Sequence, residues 1–236
     1  MTLFRYHPAV LERFPAIVGG VILARDLHNG PTPPDLRDAF TAEQRAALDR
    51  LGDTPLSELP SLSAWRRVFS GFGVKPTQYR SAAEALLRRL TKHGDIPSLN
   101  ALVDLGNLVS IRYALPVAVF DLAATTGAIT VALAQGTERF TPLGETGVEH
   151  PEPGEVIFVD EAGLVSARRW CWRQSDQSAA RDTTRDALIT VEGHHDRATA
   201  DVRAALDDLT ALLAAYQPQA SLQAALLTRD APAFAP

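Results

Sequence analysis

Apolar residues recur at spacings of three and four in several stretches of the chain, a pattern typical of helices with one buried face. Two capping-box patterns predict helix starts, namely Thr41 followed by Gln44 and Ser81 followed by Glu84. Gly94 predicts the end of the second helix, since glycine readily adopts the left-handed conformation of a C-cap. The same spacing predicts two further amphipathic helices, one with the face Leu62, Trp65, Phe69 and Phe72, the other with the face Val202, Leu206, Leu209, Leu213 and Tyr216. We expect their aromatic residues to lie in the core.

Short apolar or alternating runs bounded by turn residues predict strands at residues 19–24, 129–133 and 187–191. Residues 156–167 predict a hairpin, because two apolar runs flank a four-residue turn that ends in Gly163. Helices therefore come first, then a mostly antiparallel sheet, then covering helices. The predicted fold class is α+β with a helical N-terminal part.

Composition narrows the class of protein. The chain has 236 residues, of which 46% are hydrophobic and 22% charged, with a formal net charge of −5. These values are typical of a soluble globular protein and count against a general DNA-coating protein or a membrane span. The single Cys171 excludes a disulfide framework, so we expect a cytoplasmic location. We predict an N-terminal segment 1–80 packed on a main domain 81–228, followed by a loose tail 229–236.

Residues 168–176 have the most unusual composition, with three arginines and two of the three tryptophans of the chain. If the hairpin strand continues through them, their side chains alternate between two faces. Guanidinium groups beside indoles suit stacking on bases and bidentate binding of carboxylate or phosphate. The candidate ligand-binding or RNA-binding residues are Arg168, Arg169, Trp170, Trp172, Arg173, Gln174 and Ser175. The alternative is a strand whose tryptophans are in the core and whose arginines are solvated or ion-paired.

A second stretch, from Trp65 to His93, holds seven lysines and arginines against one acid, Glu84. Such an excess in an acidic protein marks a candidate nucleic-acid face, and an ordinary solvated helix surface is the alternative. If this basic face lies on the same side of the molecule as residues 168–176, an RNA partner is favoured. If it lies on the opposite side, a small ligand is favoured.

Common catalytic and metal-binding motifs are missing from the sequence, which has no Walker loop, nucleophile elbow or His-Glu-x-x-His pair. His194, His195 and Asp196 are residue types that bind metals, but adjacent side chains on an extended segment diverge, so neither a metal nor a cofactor is expected. Glu192 closes an apolar strand and is the best-placed carboxylate for a general base, with an edge charge as the alternative.

Residues 97–109 and 115–121 read PSLNALVDLGNLV and LPVAVFD, and they resemble the B3/B4 module of the bacterial phenylalanyl-tRNA synthetase β subunit. Residues 141–144 and 182–188 fall where that module has matching turns and its last motif. The resemblance covers roughly residues 81–193 and implies the B3/B4 fold. The rest of the chain resembles stand-alone B3/B4 proteins, which share the Arg-Arg-Trp-x-Trp-Arg-Gln stretch.

In the synthetase this module is the editing domain, which hydrolyses the ester of a wrongly attached amino acid, chiefly tyrosine, from the tRNA 3′ end. Here the family histidine is replaced by Ala118, and residues 168–176 replace the glycine-rich stretch of the family's pocket. The family's pocket glutamate aligns nearest Thr190, two positions before Glu192 and hence on the same strand face. The residues that match the family, and that mainly hold the fold, are Asp104, Asn107, Pro116, Phe120 and Asp121.

The resemblance implies an RNA-binding protein that acts as a freestanding aminoacyl-tRNA deacylase. In this hypothesis Arg168, Arg169 and Arg173 hold the tRNA 3′ end or the ester formed by the amino-acid carboxyl group. Trp170 or Trp172 stacks on a base or on a side chain. Asn107 and Glu192 orient the attacking water, which the ribose hydroxyls of the substrate help to position. Because the family histidine is lost, the rival hypothesis is a non-catalytic module that binds a small amino-acid-like or nucleotide ligand.

Overall fold

The computed structural model describes residues 2–236, which form six α-helices, one short 3-10 helix and ten strands. The α-helices are α1 (Pro8–Arg13), α2 (Pro34–Leu51), α3 (Pro60–Gly71), α4 (Ala82–His93), α5 (Ala101–Tyr113) and α6 (Ala198–Tyr216). The strands are β1 (Phe4–Tyr6), β2 (Val18–Arg25), β3 (Val117–Asp121), β4 (Ile129–Leu133), β5 (Val156–Val159), β6 (Val165–Arg168), β7 (Arg173–Gln174), β8 (Ala187–Gly193), β9 (Ser221–Leu227) and β10 (Ala233–Phe234).

The strands form two sheets. One has six strands in the order β10-β1-β4-β5-β6-β7, and the other has four strands in the order β3-β8-β2-β9. Every strand pair is antiparallel except β1 with β4. The protein is therefore α+β with mostly antiparallel sheets, as predicted. Residues before 81 contribute β1 to the first sheet and β2 to the interior of the second.

The four-stranded sheet is covered on both faces. Alternate residues of β2 show this: Ile22 packs in a core with α2, α4, α5 and α6, whereas Val21 and Leu23 pack in a second core shared with the six-stranded sheet. The second core also contains Trp65 of α3 and Trp170. Because the side chains of a strand alternate between faces, the even-numbered residues of β8 (Leu188, Thr190 and Glu192) also face the space between the two sheets.

Several local predictions are confirmed. The predicted strands correspond to β2, β4 and β8, and the predicted hairpin corresponds to β5 and β6. Ser81 caps α4, since its hydroxyl accepts a hydrogen bond from the Glu84 backbone N–H at 3.3 Å. Gly94 ends α4 in the left-handed conformation, with φ of +79°. The aromatic residues of α3 are buried in the core, as expected.

Two local predictions are wrong. Thr41 does not start a helix, because α2 begins at Pro34, and the Thr41 hydroxyl donates to the Arg37 carbonyl at 2.8 Å within the helix. Proline fits the first turn of a helix, so it outweighs the weaker capping-box pattern. The C-terminal tail is not loose, because β10 pairs with β1 and the side chain of Phe234 is 6% exposed. In the described residues, no helix combines the length and hydropathy needed to cross a bilayer.

Candidate functional site

A cavity of about 70 Å³ lies between the two sheets. Its lining comes from β3 and β8 on one side, from β5 and β6 on the other, and from residues 170–174 at its edge. Ala118, Thr190 and Glu192 face it from the four-stranded sheet. The cavity is thus mostly apolar and contains one ionisable acid.

Glu192 is the chemically distinctive group of this cavity. Its side chain is 2% exposed, and its two carboxylate oxygens accept hydrogen bonds from the Tyr6 hydroxyl at 2.6 Å and the Trp170 indole N–H at 3.1 Å. Burial raises the pKa of Glu192 to about 7, although both hydrogen bonds act to lower it. The burial of Tyr6 and its proximity to Glu192 raise the pKa of the phenol well above its usual range. The site therefore holds a carboxyl group that changes charge near neutral pH, beside a phenol that keeps its proton.

Gly19 makes the contact between Tyr6 and Glu192 sterically possible. It lies directly opposite Glu192 in the β2–β8 ladder. A Cβ atom at this position would lie 2.1 Å from the Tyr6 hydroxyl oxygen, which is far inside van der Waals contact. The absent side chain thus leaves the space that the Tyr6 hydroxyl occupies.

The backbone of residues 168–174 differs from the predicted continuous strand. Strand β6 ends at Arg168, and Arg169 and Trp170 adopt left-handed conformations with φ of 45° and 58°. Such conformations cost about 1–3 kcal/mol each, and surrounding contacts hold them in place. The Trp170 N–H donates to the Val156 carbonyl at 2.6 Å, and its indole is 0% exposed. The predicted alternation of side chains is wrong because this turn directs Trp170 inwards to Glu192.

Arg168 is engaged inside the protein. It is 4% exposed, and its guanidinium donates two hydrogen bonds to the Glu155 carboxylate, both at 3.0 Å. A third bond, at 2.7 Å, reaches Glu149. The structure does not place Arg168 among the residues that line the cavity. All three bonds go to carboxylates of the same chain, so Arg168 holds the loop before β5 against β6.

Aromatic and basic side chains form the rim of the cavity. The rings of Tyr79 and Trp172 meet edge to face, with their centroids 4.9 Å apart. The Arg169 guanidinium carbon lies 4.1 Å from the Tyr79 centroid and 4.6 Å from the Trp172 centroid. Arg173 is exposed, and its guanidinium carbon lies 5.4 Å from the Trp172 centroid. Arg173 is thus the solvent-exposed cation of this rim, whereas the Arg169 side chain is 13% exposed and packs on the two half-buried rings.

Comparison with known proteins shows that residues 64–217 match the B3/4 domain family. The chain belongs to this family. The matched segment contains every residue that lines the cavity, whereas Tyr6 and Gly19 precede it. The resemblance predicted from residues 97–121 is thereby confirmed.

Similar proteins include two phenylalanine–tRNA ligase beta subunits. That of Shewanella oneidensis is 29% identical over 153 residues, covering 65% of this chain and 19% of the relative. That of Chromobacterium violaceum is 31% identical over 94 residues, covering 40% of this chain and 12% of the relative. The alignments thus span less than a fifth of either relative. An N-terminal fragment of the phenylalanyl-tRNA synthetase beta subunit from Pyrococcus horikoshii aligns over 94% of this chain and 50% of that chain, with 13% identity and a TM-score of 0.48.

The other predicted site residues of the B3/4 domain lie in different places. Gln174 lines the cavity, but its amide donates to the carbonyls of Val119 and Ser178 at 2.7 and 2.6 Å. Ser175 is fully buried and shares a hydrogen bond with the Ser178 hydroxyl at 3.0 Å. Asn107 lies on α5 and does not line the cavity. The structure therefore brings Glu192 together with Trp170, Trp172, Arg173 and Gln174, and not with Asn107.

Sequence reasoning missed Tyr6 and Tyr79 as members of the site. Tyr6 lies 186 positions from Glu192, and no local pattern connects the two residues. The Gly19-Gly20 pair carried the one usable signal, since glycine in a strand often marks a close approach of other groups. Tyr79 lies in the basic stretch, and its position next to Trp172 depends on the packing of α4 against the rim.

His194 and His195 have separate surroundings. The His194 ring packs between Trp65 and Trp170, with centroid distances of 4.6 and 4.9 Å, and burial lowers its pKa to about 3. His195 forms a 2.8 Å hydrogen bond with Asp201 through Nε2. Within residues 2–236, no group of three or more histidine, cysteine or acidic side chains is arranged to hold a metal ion.

Proposed function

We propose that this B3/4 protein binds the 3′ end of a tRNA and hydrolyses the ester that joins an amino acid to it. The observation that carries this proposal is the carboxyl of Glu192, buried in the cavity with a pKa of about 7. A general base works best when its pKa lies near the working pH. The tRNA partner is suggested by the similarity to two phenylalanine–tRNA ligase beta subunits.

The arrangement around Glu192 supports a general-base mechanism. Tyr6 and Trp170 each donate to a different carboxylate oxygen, so each oxygen keeps a lone pair for a further hydrogen bond. The carboxylate takes a proton from water as the water oxygen attacks the ester carbonyl carbon. The tetrahedral intermediate then collapses, and the departing ribose oxygen takes that proton back from Glu192. The products are the free amino acid and the tRNA with its terminal hydroxyl restored.

The rim supports the binding part of the proposal. The half-buried Trp172 ring offers a face for the terminal base, because aromatic stacking accepts any base. The exposed Arg173 is placed to meet a phosphate of the same strand. Arg168 has no part in this mechanism, because Glu155 and Glu149 already occupy its guanidinium.

The test is a deacylation assay on a panel of mischarged tRNAs with wild-type protein, Glu192→Gln and the exposed-loop control Glu145→Gln. We expect hydrolysis of at least one member by wild type, a loss of about 10²–10⁴-fold in Glu192→Gln and no change in Glu145→Gln. The wild-type rate should rise with pH and level off above about 7, since the ionised carboxylate is the active form. Hydrolysis of no member above the spontaneous rate would refute the enzymatic proposal.

A second candidate is a non-catalytic module that binds a small amino-acid-like or nucleotide ligand. It is favoured by Ala118, which lines the cavity with a methyl group at the position that the resemblance assigns to a histidine. Isothermal titration with free amino acids and nucleotides separates the two. Saturable binding of one of them, together with no hydrolysis of any charged tRNA, would favour this candidate.

A further inference from the structure

Helix α4 begins at the rim of the Glu192 cavity. The backbone N–H of Ala82, the first residue of α4, donates to the Cys171 carbonyl at 2.8 Å, and Tyr79 packs against Trp172 just before it. The basic stretch therefore adjoins residues 168–176 and does not lie on the opposite side of the molecule. This is the arrangement that favours an RNA partner over a small ligand.

The one acid within the basic stretch is neutralised. Glu84 is 1% exposed, and its carboxylate lies 2.8 Å from Arg66 and 3.6 Å from Arg80. The Nε atom of Arg80 is buried and has no hydrogen-bond partner among the described residues. Two guanidinium groups thus share one carboxylate, and the cluster keeps a net positive charge between the rim and the rest of α4.

Beyond this cluster, a cleft of about 700 Å³ separates α4 from the segment that follows α2. Arg66, Arg88, Arg89 and Lys92 line it, together with one acid, Asp53, apart from the buried Glu84. Arg88 and Lys92 are four residues apart and so share a face of the helix. In the described part of the chain neither forms a salt bridge, and Arg89 approaches Asp95 only at 3.8 Å. The cleft therefore has more cations than its carboxylates balance.

We propose that these groups form a track for the single-stranded 3′ end of an RNA, from the cavity rim over Tyr79 and Trp172 to the cleft on α4. The inference rests on the proposed function, since it places the terminal base on Trp172 with its ester at the Glu192 cavity, and the preceding phosphates on Arg88 and Lys92. Proteins that bind single-stranded RNA combine a basic groove with aromatic faces on which bases stack. The rim and the cleft supply these two components side by side.

The chemistry favours RNA over an acidic peptide. The Arg169 guanidinium already lies over both rings, 4.1 Å from the Tyr79 centroid and 4.6 Å from the Trp172 centroid, so these groups form one planar platform at the rim. A base can stack on the ring surface that Arg169 leaves open, whereas a peptide carboxylate would use only the cations.

The test measures fluorescence anisotropy of a labelled single-stranded RNA 12-mer that ends in the CCA of tRNA. The Arg88→Ala/Lys92→Ala variant should bind about tenfold more weakly at low salt, and its salt slope should fall by about 1.4, or about 0.7 for each lost phosphate contact. The control is Arg203→Ala/Arg229→Ala, which removes two exposed arginines elsewhere and should leave both values unchanged. Tyr79→Ala should weaken binding about tenfold without changing the slope, since stacking is not ionic.

The outcomes separate this track from the proposed activity. RNA affinity of Arg88→Ala/Lys92→Ala equal to that of wild type, with deacylation intact, would overturn the track and leave the hydrolase proposal standing. A raised KM with unchanged kcat in the same variant would support the track. Equal competition by poly-glutamate would overturn the assignment to RNA. Failure of wild type to bind the 12-mer would also overturn the track, and only the deacylation assay would then decide the activity.

Discussion

Arg168, at the start of the arginine-rich residues 168–175, and the basic side chains of helix α4 lie in opposite environments. Arg168 is buried between Glu155 and Glu149, whereas Arg88 and Lys92 are exposed and form no salt bridge in the described part of the chain. The carboxylates that hold Arg168 lie 13 and 19 positions away in the sequence. A count of local charges therefore does not distinguish an arginine that holds the fold from one that is free to bind a partner.

The largest expected effect comes from Arg168. Arg168→Ala removes both guanidinium hydrogen bonds to the buried Glu155 carboxylate, which keeps the Arg169 backbone N–H at 2.8 Å and a 3.9 Å contact with the Arg169 guanidinium. The free energy of unfolding should therefore fall by about 3–5 kcal/mol. Urea denaturation measures this, with Arg173→Ala as the control because Arg173 is exposed and should change stability by less than about 0.5 kcal/mol. If both variants lost the same free energy of unfolding, the distinction between the buried Arg168 and the exposed Arg173 would not hold.

The next largest effect is the pH dependence of stability that the ionisation of Glu192 causes. The folded protein keeps the Glu192 proton up to a pKa of about 7, against an ordinary value of 4.5. Between these values the unfolded chain binds fewer protons, so stability falls as the pH rises through this window, by about 3 kcal/mol in total.

His194 acts in the opposite direction. Its folded pKa of about 3 lies below the ordinary 6.5, so its contribution to stability is lost as the pH falls through this range.

The Glu192 contribution is measured from the free energy of unfolding as a function of pH. Subtracting the values for Glu192→Gln from those for wild type removes the His194 contribution and isolates that of the carboxyl group. A difference that does not change with pH from 4.5 to 7 would contradict the buried state of Glu192.

A smaller effect is expected at the start of α4. Ser81→Ala removes the hydroxyl that accepts the Glu84 N–H, which should cost about 1 kcal/mol of stability. Thermal unfolding measures the loss, and the exposed Ser57→Ala serves as the control. If the two serine variants unfold at the same temperature, the cap does not hold the basic helix in place.

The smallest effect on stability should come from the exposed basic side chains of α4. Arg88→Ala should change the free energy of unfolding by less than about 0.5 kcal/mol, because the side chain is exposed and unpaired in the described structure. Chemical denaturation measures this value. A loss of stability close to that of Arg168→Ala would mean that Arg88 stabilises the fold. It would contradict the distinction between the buried Arg168 and the exposed Arg88.

Much of the fold could be predicted, because periodicity and capping are local properties. The β5–β6 hairpin, strand β8 and the Ser81 cap all follow from residues within a few positions of one another. The left-handed turn at Arg169 and Trp170 could not be predicted, since neither residue favours positive φ. Trp170 is held there by its burial and by its bond to Glu192 across the core.

The candidate site was predictable only in part. Glu192 and the tryptophans could be singled out from composition and from their place at strand ends, and Tyr79 could not. The sequence by itself determined the α+β class, the helices and strands with strong periodicity, and the resemblance to the B3/B4 module. Only the tertiary structure decided which arginines are neutralised, and only it brought Tyr6 and Trp170 onto Glu192. The physical reason is that pKa values and ion pairs depend on burial and on partners from distant parts of the chain, which local patterns do not encode.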